Sequence, residues 1–446
     1  MKFFLHPHVF LVHGYNNGVL YDLKKGGIFS INSKSKQILS YVEEKEILLE
    51  KTEDSSIQAI YDYLKTLEEL DLGYFCENKE KAPEKIKIEP KKTTLNQMWL
   101  SLNSNCNLTC IHCYATSQPG PCDDFVPLNR IFEIMQEAYE VFELKCVQLI
   151  GGEPLLLGKD KVTKIVKKAS EIGIPTIEIF TNGHAINDYY IQLFKEENVR
   201  VAISIYSDLA EEHDAITELQ GSWKKTVQAI KRLTSQNIPV RCGITAMNVN
   251  QFSVERVAPW LEEQFGIPNN GRLYDVVRFC GRGSNTNIIP WDMFKKQHML
   301  LKPDFPPVSI ELFRKTMYNN TCWGDKICIL PNGNVTPCEM ESENIQGNIT
   351  YQNLSEIILG KGGDQAQRLT KDKVEICKDC EYRYVCSECR AMANQLDINK
   401  FSKPLTCLYN PYTSEWEKSP SPALIKHFPK LTGDLNQQFP LIKKTC

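Results

Sequence analysis

The chain has 446 residues, more than one hydrophobic core normally holds, so two or three domains are expected. Hydrophobic residues make up 42% and charged residues 24%, the mix of a globular chain, and a net charge of -3 gives no reason to expect a nucleic-acid or anionic-membrane partner. No stretch reaches the roughly 18 apolar residues of a membrane span. Met1 to Val12 is broken by His6, Pro7 and His8, with no small-residue cleavage site after it, and reads as a strand rather than a signal peptide. The chain is therefore expected in the cytoplasm, with no membrane partner.

Residues 1–76 read as a small unit. VFLVHG and GVLYDL are strands around a turn at Asn16-Asn17-Gly18, and GGIFSIN is a third. Ser33 is placed to cap the helix SKSKQILSYV. Ile57, Ile60, Leu64, Leu67 and Leu70 recur at helical spacing in a second helix. Residues 77–95 have alternating charges, two prolines and no apolar period, the pattern of a linker. From 96 to 300, six short apolar runs (MWLSL, CVQLI, TIEIF, VRVAISI, VRCGI and DVVRF) alternate with amphipathic segments, which predicts an α/β fold with parallel strands and crossover helices. Six strands are too few for the closed eight-stranded barrel, so a partial barrel is expected. Residues 301–415 are loop-rich and cysteine-dense, and 416–446 form a tail.

Seventeen cysteines are the anomaly, because a reducing compartment does not favour structural disulfides and crowded thiols there suggest metal or catalysis. Cys76, Cys122, Cys146, Cys242, Cys280 and Cys446 are scattered and read as ordinary free cysteines. Cys106, Cys110 and Cys113 follow the first barrel strand with C-x3-C-x2-C spacing. Three thiolates this close can hold three irons of a four-iron cluster and leave the fourth open, with a zinc knuckle as the bland alternative. Cys322, Cys328 and Cys338 are followed by Cys377, Cys380, Cys386 and Cys389, and then by Cys407. Eight thiolates equal the needs of two fully ligated four-iron clusters, although C-x2-C pairs also serve zinc ribbons.

On these residues the chain resembles the radical S-adenosylmethionine (SAM) family. The C-x3-C-x2-C loop is similar to the family signature, with His112 where an aromatic residue is usual. Gly151-Gly152-Glu153-Pro154 at the end of the second strand resembles the element that meets the methionine amino group. Thr181-Asn182-Gly183, Ser204, His213-Asp214, Gly221-Ser222 and Cys280-Gly281-Arg282-Gly283 follow in family order. Thr217 and Glu218 stand where many relatives carry an arginine. The resemblance implies a partial (β/α)6 barrel that binds a SAM-ligating 4Fe-4S cluster through Cys106, Cys110 and Cys113. It places SAM against Gly151, Gly152, Glu153, Pro154 and Ser204, where it is cleaved to a 5′-deoxyadenosyl radical.

The downstream cysteines resemble the SPASM extension found behind such barrels, with Gly333 five residues before Cys338. That resemblance implies two auxiliary 4Fe-4S clusters, one on Cys322, Cys328, Cys338 and Cys389, the other on Cys377, Cys380, Cys386 and Cys407, three clusters in all. Residues 1–76 resemble a winged helix. The second helix carries Asp62, Glu68 and Glu69 and is not the basic helix that DNA recognition needs, so no nucleic acid is expected. The unit looks like the peptide-recognition element of maturases of ribosomally made peptides, in which a leader peptide adds to a sheet edge.

Together these resemblances imply a maturase that takes a hydrogen atom from a precursor peptide and installs a crosslink, a thioether ahead of a carbon–carbon bond, with a flavodoxin- or ferredoxin-type electron donor. The alternatives are a sulfatase-type protein maturase and a non-enzymatic iron–sulfur or zinc protein. No general base is assigned from the sequence.

Overall fold

The structure, a computed structural model, describes residues 1–45, 54–77, 81–121, 125–269, 271, 273–300, 302, 305–396, 399, 401–417 and 419–427. Cys122, Cys446 and most of the expected tail lie outside the described residues.

The N-terminal unit contains β1 (Lys2–Leu5), β2 (Val9–His13), β3 (Gly18–Asp22), β4 (Ile28–Ile31), α1 (Ser33–Lys45), α2 (Ser55–Glu69) and β5 (Gly73–Cys76). The single first strand expected from the sequence is two. The chain turns at His6-Pro7-His8, so β1 pairs antiparallel with β5 while β2 joins the antiparallel sheet β2-β3-β4. Asn32, not Ser33, caps α1, its Oδ1 accepting from Ser35 N at 2.9 Å. Leu64 and Leu67 of α2 bury against Phe3, Leu5, Leu20 and Leu39. All of β3 is buried. Leu20 faces these helices, while Val19 and Tyr21 on its other side pack on Phe313, Tyr382 and Tyr409 far down the chain.

The described part of the linker has neither helix nor strand from residue 81 to 95. It runs along the N-terminal unit, with Ile86 N donating to Pro7 O (3.1 Å) and Lys85 Nζ to Val9 O (2.9 Å).

The barrel strands β6 (Gln97–Ser101), β7 (Cys146–Ile150), β8 (Thr176–Thr181), β9 (Arg200–Ser204) and β10 (Val240–Gly243) are parallel neighbours. They alternate with α3 (Leu128–Phe142), α4 (Lys159–Ile172), α5 (Asp188–Glu196), α6 (Ala210–Thr217) and α7 (Ser222–Ser235). These helices cover the sheet through apolar stripes, such as Val162, Ile165, Val166, Ala169 and Ile172 of α4. The expected sixth strand is shorter than its apolar run. After Ile244 the chain continues as β11 (Thr245–Ala246), then α8 (Val254–Phe265), and β12 (Asp275–Val276) pairs in parallel with β11 rather than with β10. At the opposite edge, beyond α9 (Trp291–His298) and α10 (Ile310–Tyr318), β13 (Lys326–Ile329) lies parallel to β6. With β14 (Asn334–Thr336) and β15 (Gly347–Asn348) it completes an eight-stranded sheet. The cysteine-rich region is thus built onto the barrel sheet.

Strand alternation sends Gln148, Glu178 and Arg241 into the bore, although such residues inside an apolar sheet need partners. They satisfy one another: Gln148 donates to Glu178, and Arg241 makes a two-pronged contact with Glu178 at 2.8 and 2.7 Å.

Candidate active site

The C-terminal strand ends open into a cavity of about 370 Å³. Cys106, Cys110, Cys113, Gly151, Gly152 and Ser204 line it, as do Arg241, Arg278 and Glu339.

The cysteine loop has almost no regular structure, so its shape is set by what grips it. Within the loop, Cys106 N donates to Gln118 O (3.0 Å) and Cys113 N to Cys110 O (3.1 Å). On the β7 side, Gly152 N donates to Asn103 O and Glu153 N to Asn105 O, both at 2.9 Å. A Cβ on Gly152 would collide with the Asn105 carbonyl. On the other side, Arg282 donates from its backbone N to Cys113 O (3.0 Å), from Nε to Cys110 O (2.8 Å) and from its terminal nitrogen to Ser117 O (2.7 Å). Gly281, at φ +53, lets this segment in, and a Cβ there would stand 2.5 Å from Cys113 O. Gly281→Val is therefore expected to displace the loop and lower reconstituted iron by about four per chain, measured by iron assay against wild type.

Burial pushes the Cys106 thiol up to about 11 and the Cys110 thiol up to about 12, the latter also through Cys106 and Cys113 beside it. At neutral pH such thiols need a bound cation to ionise. His112 stands edge-on to Tyr206 with ring centres 4.8 Å apart, and burial lowers it to about 4, so it is neutral.

Glu153 and Pro154 are set behind the cavity wall. The Glu153 carboxylate does not line the cavity. It is fully buried and accepts from Thr181 Oγ1 (2.6 Å), Asn182 N (2.8 Å) and Leu155 N (3.2 Å), which ties the ends of β7 and β8 together. Pro154 is buried and opens a short 3-10 turn. Of the four residues, Gly151 and Gly152 reach the cavity. Asp214 is likewise structural, accepting from Gly221 N (2.6 Å), Trp223 N (2.8 Å) and Ser222 Oγ (3.0 Å) at the start of α7. Thr217 donates to His213 O within its own helix (3.1 Å).

Seven of the eight downstream cysteines fall into two electrostatic neighbourhoods. Cys377, Cys380, Cys386 and Cys407 lie close enough for their charges to be mutually felt. Cys322, Cys338 and Cys389 do the same. Cys328 is buried on β13 opposite Thr336, whose Oγ1 donates to Cys338 O at 3.0 Å.

Three cavity residues were not singled out from the sequence. Glu339 is the most informative: desolvation raises its carboxyl to about 7, against the opposing pull of Arg278, Arg241 and Lys326. Its signal was adjacency to Cys338. Arg241 could have been found by strand parity in VRCGI. Arg278, on the loop after β12, gave no signal.

The fold is a partial barrel whose open strand ends form a cavity beside a loop of three cysteines. Residues 100–262 match the model of the radical SAM superfamily and 322–381 that of the SPASM iron-sulfur cluster-binding domain. The chain carries a radical SAM domain and a SPASM domain, and is an enzyme. It is 24% identical over 343 residues to an AdoMet-dependent heme synthase of Methanosarcina barkeri (70% of this chain, 95% of that one). It is 25% identical over 332 residues to AlbA, a subtilosin biosynthesis protein of Bacillus subtilis (69% of each chain). The structure of Streptococcus suis SuiB with S-adenosylmethionine superposes with a TM-score of 0.53 at 12% identity, covering 91% of this chain and 99% of that one, and SuiB is also known bound to a precursor peptide, SuiA. No helix among the described residues is long and apolar enough to cross a membrane.

The family carries a SAM-binding 4Fe-4S cluster and auxiliary clusters. The residues present fit both: three thiols beside an open cavity and two glycines, and seven further thiols in two groups with Cys328 opposite Thr336, which bonds Cys338 O.

Proposed function

We propose that the chain is a maturase of a ribosomally made peptide that forms a thioether between a cysteine sulfur and a peptide carbon. Cys106, Cys110 and Cys113 hold the SAM-binding cluster, and Gly151, Gly152 and Ser204 contact SAM. Cys322, Cys328, Cys338 and Cys389 hold one auxiliary cluster, and Cys377, Cys380, Cys386 and Cys407 the other. A flavodoxin- or ferredoxin-type protein in the cytoplasm supplies electrons. When bound, SAM and the clusters supply the one-electron chemistry: a 5′-deoxyadenosyl radical that takes a hydrogen atom from the peptide, and a destination for the electron released as sulfur joins carbon.

The chain's own part is positional and acid–base. The cysteine loop, gripped by Gly152 on one side and Gly281 and Arg282 on the other, fixes where the reaction starts. Glu339, which lines the same cavity, takes the thiol proton when the C–S bond forms. The single observation that carries this reading is the cavity itself, which sets the cysteine loop and a carboxyl raised to about 7 around one space.

The leader docks on residues 1–76. Strand β4 is the outer strand of its sheet, with no further strand pairing on it among the described residues, while the linker's Lys85 bonds a carbonyl of β2 on the opposite side. An extended peptide adds to β4 through backbone hydrogen bonds. This favours a leader-bearing peptide over a folded protein or a small molecule.

The test is co-expression with a candidate precursor peptide. The expected product lacks two hydrogens per crosslink, and replacing the core cysteines abolishes the change. A product whose mass falls equally when those cysteines are absent contradicts the thioether. Ser30→Pro, on the outer strand, is expected to weaken leader binding at least tenfold by anisotropy while leaving SAM cleavage without peptide unchanged.

A further inference from the structure

The N-terminal sheet does more than present an edge. Its far face and its β2–β3 turn rest on the segment that carries Cys377, Cys380 and Cys386. Tyr15 N donates to Asp379 O at 2.7 Å. Arg383 reaches back to His13 O (2.7 Å) while also bonding Cys380 O (2.9 Å). Gly14 lies so near that a Cβ would stand 2.5 Å from Glu381 Oε2 and 2.9 Å from its backbone nitrogen. The phenol of Tyr21, on fully buried β3, donates to Glu381 O at 2.9 Å and lies within electrostatic range of Cys380 and Cys386. Cys380 and Cys407 pack in one apolar cluster with Val12, Val19 and Tyr21. On β4, Ser30 Oγ meets Tyr382 Oη at 2.7 Å, so the strand proposed to receive the leader touches the same segment.

We infer that the N-terminal sheet is a wall of the iron–sulfur site of Cys377, Cys380, Cys386 and Cys407, so that an extended peptide docked on β4 changes the reduction potential of that cluster and not of the other auxiliary one. Hydrogen bonds and burial around the ligand sulfurs set such potentials. Tyr21 and Ser30 connect the docking sheet to the ligand segment with no intervening residue beyond Glu381 and Tyr382. The coupling half rests on the leader-docking reading above, whereas the wall itself does not.

The experiment uses the full-length chain with Cys106, Cys110 and Cys113 replaced by alanine, so that only the auxiliary clusters give signals. Redox titrations followed by electron paramagnetic resonance are run with and without synthetic leader peptide, and leader binding is measured separately by anisotropy. The expected result is that saturating leader shifts one of two midpoint potentials. Tyr21→Phe without leader is expected to shift the same one, and Gly14→Val to lower iron by about four per chain. If Gly14→Val does not fold, the Tyr21→Phe comparison decides the wall. Unmoved potentials in Tyr21→Phe, together with unmoved potentials under bound leader, overturn the inference. Absence of leader binding with a shift in Tyr21→Phe overturns the docking reading and upholds the wall.

Discussion

Replacing Cys106, Cys110 and Cys113 together with alanine is expected to abolish reductive SAM cleavage while leaving the rest of the fold and leader binding intact. The three thiols sit on a loop outside the strands and helices, and the core strands beside it are packed by Met98, Leu100, Val147 and Leu149, none of which the substitution touches. Desolvation raises the Cys106 and Cys110 thiols, so removing them takes no charge out of the unliganded fold at neutral pH. The lost quantity is the ligand set, and with it the one-electron source. 5′-Deoxyadenosine formation with dithionite is the readout, and any wild-type-like rate in the triple variant contradicts the assignment of these residues.

Glu339→Gln is expected to separate radical generation from product formation. Glutamine keeps the shape but cannot accept a proton, and loss of a positioned general base costs on the order of a hundredfold or more. SAM cleavage should persist near the wild-type rate, while crosslinked product falls at least about a hundredfold. The pH profile gives a second check. A carboxyl raised to about 7 is protonated below that pH and cannot accept the thiol proton, so wild-type product formation should fall as pH drops through 7. The variant's residual rate should lose that dependence. A carboxamide variant with unchanged product yield would remove Glu339 from the chemistry.

Much of this was legible in the sequence because the signals are local. Five of six barrel strands follow from short apolar runs, and the cysteines announce themselves by spacing. The sixth strand was overestimated because Val276, Val277 and Phe279 are buried, yet only Asp275 and Val276 complete a ladder; an apolar run reports burial, not pairing. The surroundings of Glu153 were hidden for a related reason. A carboxylate beside two glycines suits a ligand ammonium, but its partners Thr181 and Asn182 come from the next strand, and only the fold brings them there. Pairings across long sequence distances were beyond reach as well. Strand β13 beside β6, Tyr21 on Glu381 and Glu339 in the same cavity as the cysteine loop each join segments more than two hundred residues apart. The division of eight cysteines into two groups was available only through family resemblance, since spacing alone permits many pairings.

The most direct measurement is anaerobic reconstitution followed by iron, sulfide and zinc analysis of the wild type and of the Cys106/Cys110/Cys113→Ala variant. About twelve irons per chain without zinc, falling to about eight in the variant, is the expected result for one SAM-binding and two auxiliary clusters. About four irons with bound zinc in the wild type would make the downstream cysteines zinc ligands, and the auxiliary-cluster account would be contradicted.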